Sequence, residues 1–256
     1  MSKKSVEKRR AKAAEVLADN AKSEKRSRNL FVIGMIVVVA ALIVPVILYS
    51  QSIKPDVSTK LIKPSGATKE FGIKASAKDF GNEPLPTAVD MVIYEDLQCP
   101  VCKLFESGSG DELRSMTEKG EVNIEYRMVS FLDNGGSKNN YSRRSASAGL
   151  CVRESAGTAK WLEFKASLFE NQPDEGTEGP SNNRLLEAAR KFAPDVNEKC
   201  IRNQKYVPWM AAATTAFNKL EGITATPTVL IEGEKVEFPQ AVDKIREILS
   251  KRAGGE

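Results

Sequence analysis

The sequence predicts an α/β domain with an inserted helical subdomain, carried behind one transmembrane helix. Three observations predict it. Residues 30–49 form a run of twenty without a charge. A Cys-Pro-Val-Cys sequence at 99–102 stands between a strand pattern and a helix pattern. A Thr-Pro-Thr strand start at 226–228 arrives only after about eighty residues of helical periodicity.

The apolar run comes first in the chain. Twenty helical residues rise about 30 Å, the thickness of a bilayer's hydrocarbon core. Pro45, near the end of the run, is tolerated in a membrane setting. Residues 1–29 hold ten Lys/Arg and four Asp/Glu, or +6 in a chain of net +4, so the remainder carries −2. Such a basic flank stays in the cytoplasm and sends the following domain to the other side. A cleaved signal peptide has a shorter apolar core and a small-residue cleavage site. Leu48, Tyr49, Ser50 and Gln51 fit that site poorly, so an anchor in the lipid bilayer is expected. Residues 50–70, with Pro, Ser, Thr and Lys and no clear periodicity, read as a linker. That leaves 71–256 for the folded domain. No basic, aromatic-rich face stands out there, and nucleic-acid binding is not expected.

All four cysteines follow the apolar run, on the side where disulfides persist. The chain has no histidine, which removes Ser–His and Cys–His catalysis, His-ligated metals and C-x-x-C-H haem attachment. Cys151 and Cys200 form no second C-x-x-C knuckle, so neither a metal nor a cofactor is expected. Upstream of Cys99, the residues Val89, Met91, Val92, Ile93 and Tyr94 read as a buried strand. Proline suits the first position of a helix, so Pro100 puts Cys99 at the N-cap, with Val101, Cys102, Leu104 and Phe105 opening the helix. Unpaired N–H groups and the helix dipole then favour the Cys99 thiolate, the reactive form. Cys102 lies one turn further on the same face, within reach for a disulfide. A thiol pKa of ~5 would favour the thiolate by ~2.7 kcal/mol at pH 7 and raise the reduction potential by roughly 60 mV. Such a pair is the better oxidant, but this does not decide oxidase from reductase.

The rest follows in order. Val122, Ile124, Tyr126 and Met128 alternate as a half-buried strand. Gly108 and Gly110 are expected to break or kink the helix before it. From about 140 to 221 the pattern is helical, with segments near 142–154, 158–169, 182–192 and 207–220 and a loop at 171–183. Residues 226–231 read as a strand, 232–234 as a turn and 236–238 as a short returning strand. Val242, Ile245, Ile248 and Leu249 mark a closing amphipathic helix.

With these motifs in this order the chain resembles the DsbA-like branch of the thioredoxin superfamily, particularly its membrane-anchored actinobacterial members. The matching segments are VIYEDLQCPVCKLFE (92–106), SASAGLCV (145–152), KASLFENQP (165–173), KCIRNQKYVPWM (199–210) and GITATPTVLIEG (222–233). The resemblance covers roughly residues 71–252 and implies a thioredoxin fold with an inserted helical subdomain. It implies that Cys99 is an exposed nucleophile and Cys102 a buried resolving cysteine. Pro227 would be a cis-proline facing them, with Thr226, Pro100 and Val101 at the substrate-binding position. Two positions depart from the family pattern. Val101 stands where a histidine or another polar or aromatic residue is common, and Ile93 where some members carry a proton-accepting glutamate. Asp96 and Glu95 are the candidate substitutes for that acid. Cys151 and Cys200 lack a neighbouring cysteine or a proline-started helix, and are expected to form a structural disulfide rather than a second relay.

The function expected is thiol–disulfide exchange outside the cytoplasm, donating disulfides to unfolded exported proteins with free thiols. The resemblance also implies a quinone-linked membrane reoxidase of the DsbB or vitamin K epoxide reductase type. An extracytoplasmic reductase or isomerase, a non-catalytic client-binding module and a metal carrier are the alternatives.

Overall fold

The computed structural model describes residues 60–134 and 137–254. The expected basic segment (1–29), transmembrane helix (30–49) and first part of the linker lie outside the described residues. Among the described residues no helix is long and apolar enough to cross a membrane.

Five strands form one sheet in the order β1-β3-β2-β4-β5. They are β1 (Ile73–Ala75), β2 (Val89–Asp96), β3 (Val122–Val129), β4 (Thr228–Ile231) and β5 (Glu234–Val236). The central strand β2 runs parallel to β3 and antiparallel to β4. A parallel pair needs a crossover. Here it is α1 (Pro100–Phe105), a π-helical turn (Glu106–Gly110) and α2 (Asp111–Glu118). At Gly108 and Gly110, where a break or kink is expected, the α-helical pattern is interrupted but the helix does not end. The helix continues through them by widening for one turn.

The insertion comprises α3 (Tyr141–Glu170), α4 (Asn182–Arg190), α5 (Glu198–Arg202) and α6 (Val207–Phe217), and α7 (Ala241–Gly254) closes the domain. The two segments expected at 142–154 and 158–169 are the halves of α3, which turns sharply at Gly157, with φ 86° and ψ 175°. In a straight helix residues 149 and 161 would stand about 18 Å apart. Here a β-carbon at Gly149 would come within 2.9 Å of Trp161 Nε1, so the second half folds back against the first. That bend also lets Trp161 meet Tyr126 of the sheet edge-on, with ring centroids 5.6 Å apart.

Residues 60–70, read as linker, pack onto this body. Pro64 and Ala67 are buried, and Arg153 Nη1 donates to the Ser65 carbonyl at 2.7 Å. Strand β1 and helix α5 escaped the sequence reading. With three and five residues, they are too short for a periodicity to show. Cys151 of α3 and Cys200 of α5 are joined by a disulfide, with S–S 2.02 Å and Cα–Cα 5.9 Å.

The bond closes a loop with a sequence separation of 49. Replacing both cysteines by serine is expected to cost about 4 kcal/mol of stability in the chain-entropy picture. Urea unfolding measures the loss, and iodoacetamide reactivity of Cys99 should stay at the wild-type rate. A variant that keeps its stability but loses Cys99 reactivity would reverse the assignment of this bond as a staple.

Candidate active site

The site forms where β2 ends. The antiparallel register pairs Tyr94 with Thr228, which brings the start of β4 beside the loop leaving β2. Thr226 and Pro227 immediately precede β4, and the bond between them is cis. Cys99 Sγ lies 3.3 Å from the Thr226 carbonyl oxygen, to which the thiol donates. Cys99 is the N-cap of α1 and Pro100 its first residue. Cys99 and Cys102 are both free thiols. The nucleophile is less open than expected, since Cys99 keeps only 7% of its surface against 0% for Cys102. Pro100, Val101 and Leu104 are exposed around it.

Two glutamines that the sequence reading passed over hold this loop. Gln172 Nε2 donates to the carbonyls of Leu97 at 3.1 Å and Cys99 at 3.0 Å. Gln98 Nε2 donates to those of Asp174 at 3.0 Å and Thr177 at 3.2 Å. The insertion's loop is thereby tied to the backbone on which Cys99 sits.

A five-stranded mixed sheet, a Cys-Pro-Val-Cys helix start and a cis Thr-Pro opposite it are now together. The Thioredoxin family model matches residues 81–251. The chain belongs to the thioredoxin family. Disulfide bond formation protein D of Bacillus subtilis is 26% identical over 180 residues, covering 69% of this chain and 77% of that protein. The reduced DsbA of Mycobacterium tuberculosis is 30% identical with a TM-score of 0.55, covering 76% of this chain and 90% of that one. MdbA, a thiol-disulfide oxidoreductase of Corynebacterium diphtheriae, is alike in fold at 22% identity and a TM-score of 0.61, over 75% of this chain and 98% of that one. The chain is a DsbA-like thiol–disulfide oxidoreductase.

In this thioredoxin-family site the two sulfurs are driven apart. The hydrogen bond from Cys102 is the chief reason that the Cys99 thiol falls from 9.0 to about 6. Burial opposes the shift, while the Thr226 side chain and the N–H groups of Cys102 and Val101 assist it. Burial pushes Cys102 well above its usual value, and the Cys99 charge adds to that. At about 6 rather than ~5, the thiolate preference at pH 7 is ~1.4 kcal/mol and the gain in potential roughly 30 mV, half the sequence expectation.

The two candidate acids separate just as clearly. Asp96 accepts from the N–H groups of Gln98 at 2.8 Å and Leu132 at 2.9 Å and from the Ser142 hydroxyl, so it locks the loop to the insertion. Burial raises it to about 6. Glu95, fully buried, faces Lys165 Nζ at 3.1 Å. Burial raises it to about 7, Lys165 opposes this, and Glu106 and the Cys99 charge add to it. Its charge in turn helps to raise Cys102. Lys165 comes from α3, about seventy residues away in sequence, and nothing local pointed to it.

Two outcomes follow. Iodoacetamide alkylation of the reduced protein should track a group titrating at about 6, label Cys99 alone, and reach Cys102 only on unfolding. The carboxyl of Glu95 binds its proton more tightly when folded (about 7 against 4.5), so its contribution to stability is full below 4.5 and is lost as pH rises through 7. Asp96 acts in the same sense. The Cys99 contribution has the opposite sign, present above 9.0 and lost as pH falls through about 6. Urea unfolding of Glu95→Gln should therefore lose less stability than wild type between about pH 5 and pH 8. Equal slopes would remove Glu95 as the titrating group.

Proposed function

We propose that residues 30–49 hold the protein in the cell membrane and that its domain, outside the cytoplasm, donates disulfides to unfolded exported proteins. The observation that carries this reading is the opposed titration of two adjacent sulfurs, Cys99 at about 6 and Cys102 far above it. A mixed disulfide at Cys99 is resolved readily because its low-pKa thiolate is the better leaving group, and a dithiol with one stabilised thiolate is a favourable reduced state.

In the oxidised protein, a client thiolate attacks Cys99. The client–Cys99 bond forms, the Cys99–Cys102 bond breaks, and the electron pair leaves on Cys102, which takes a proton from Glu95. A second client thiolate then attacks the client sulfur and releases Cys99 as its thiolate. Thr226 and Pro227 receive the client chain beside Cys99, while the exposed Pro100 and Val101 form the near edge of that surface. The dithiol returns to the disulfide through a quinone-linked membrane partner. In this reading Glu95, two residues along the same strand face from Ile93, does the work of the missing family acid.

Equilibrating the full-length protein with reduced and oxidised glutathione, and reading Cys99 and Cys102 by alkylation, tests the direction. A potential clearly above the ~−270 mV of thioredoxin is expected. A value near or below that figure would make the protein a reductase. On intact cells a membrane-impermeant maleimide should label Cys99, and protection until the membrane is opened would defeat the proposed topology.

A further inference from the structure

One side chain beside the nucleophile has no part in the scheme above. Gln172 stands two residues past the end of α3, and its Nε2 lies between two carbonyls of the active-site loop, 3.1 Å from that of Leu97 and 3.0 Å from that of Cys99. An amide nitrogen carries two hydrogens, so both bonds are made at once. They grip the backbone on either side of Gln98, whose own Nε2 crosses the other way to the carbonyls of Asp174 and Thr177. Leu97 is buried, and a buried carbonyl needs a donor. The N–H of Cys99 donates to the Asp96 carbonyl at 3.0 Å, and its carbonyl also accepts from the Lys103 N–H at 3.1 Å. The peptide unit between Cys99 and Pro100 has no N–H, so that carbonyl is the only group by which hydrogen bonds can hold it.

The surroundings of the sulfur make this hold matter. On the helix side the N–H groups of Val101 and Cys102 and the Cys102 thiol favour the thiolate. On the other side the Thr226 carbonyl oxygen stands 3.3 Å from Sγ. A thiol can donate to that oxygen. A thiolate has nothing to donate and is repelled by it. A backbone rotation that carries the sulfur from the N–H groups toward the oxygen therefore works against the anion on both counts.

We propose that Gln172 is a positioning residue for thiol–disulfide exchange: reaching in from the insertion, it holds the Leu97 and Cys99 carbonyls and so keeps the Cys99 sulfur aimed at the N–H groups of the helix start. The role is the same for either direction of exchange, since both pass through a thiolate at Cys99. The titratable and charged groups about Cys99 are Cys102 and Lys103 of α1, Glu95 of β2, and Asp174 on the insertion's loop. Gln172 is neutral. Its replacement by methionine, close in length and equally neutral, leaves that set of charges unchanged and removes both donors.

Two measurements on the full-length protein test the role, the rate of Cys99 alkylation by iodoacetamide against pH and the equilibrium with glutathione at pH 8. In Gln172→Met the alkylation midpoint should rise by about one pH unit, a tenfold loss of thiolate preference. The potential of the pair should fall by about 30 mV, the same tenfold in the exchange equilibrium. Gln172→Ala, which removes stem and amide together, should do the same, and it decides the matter if methionine is not accommodated. The comparison is Asn139→Ala. Asn139 pairs in both directions with Gly179, at 2.7 and 3.2 Å, toward the other end of the same loop. Its loss loosens the loop, lowers stability in urea and should leave the alkylation midpoint at the wild-type value. A wild-type midpoint and potential in the Gln172 variants would make the amide a structural tie and overturn the proposal. An equal rise in Asn139→Ala would assign the effect to the loop as a whole and overturn it too.

Discussion

The constraint behind this site is that the central strand ends in two ionisable side chains that the fold must bury. Glu95 and Asp96 are both inaccessible. An unpaired carboxylate there would cost several kcal/mol. The domain meets that cost in two different ways, because consecutive strand residues point to opposite faces. Asp96 faces the loop and the insertion and is satisfied by hydrogen bonds from Gln98, Leu132 and Ser142. Glu95 points the opposite way and is satisfied by Lys165, from the second half of the insertion's α3, which Glu106 holds from beyond.

This division has consequences for the sulfurs. A carboxyl dressed with neutral donors positions the loop carrying Cys99 and adds little to the titration of the pair. Burial, opposed by the shared lysine and aided by the second carboxyl, holds Glu95 near its protonation midpoint at physiological pH, at about 7. The same charges bear on Cys102, whose burial already disfavours its thiolate. Cys99 escapes by sitting at the helix start, with the Cys102 thiol and two N–H groups turned toward it. The chemical asymmetry of the pair therefore belongs to two helical turns and the strand end beneath them.

The helical insertion takes part in this chemistry more than its place in the chain suggests. It supplies Lys165 to Glu95, Ser142 to Asp96, and Gln172 to the carbonyls of Leu97 and Cys99. The bend at Gly157 and the disulfide from Cys151 to Cys200 give this subdomain a defined shape. The exposed Val101 side chain has no polar atom to offer Cys99, so the hydrogen bonding there comes from Cys102, from the Thr226 side chain and from the N–H groups of Cys102 and Val101.

Much was legible in the amino-acid order because it depends on neighbours along the chain. A dense apolar run marked β2, alternation marked β3, proline after Cys99 marked a helix start, and the spacing of the cysteines placed both on one helical face. The motif order from Cys99 to Thr226-Pro227 pointed to the family. Very short elements such as β1 and α5 carry too few residues for any period to register. Gly108 and Gly110 were visible as an anomaly, but a flexible residue signals freedom and not how it is used. The choice between Glu95 and Asp96 was undecidable, since both precede Cys99 by a few residues and both are carboxylates. Only the tertiary structure sets their surroundings apart, by placing Lys165 and Glu106 against Glu95 and two backbone N–H groups and the Ser142 hydroxyl against Asp96. Local order along the chain sets the helix start and the strand face, whereas the proton affinity of a buried group is set by charges that the fold brings to it from afar.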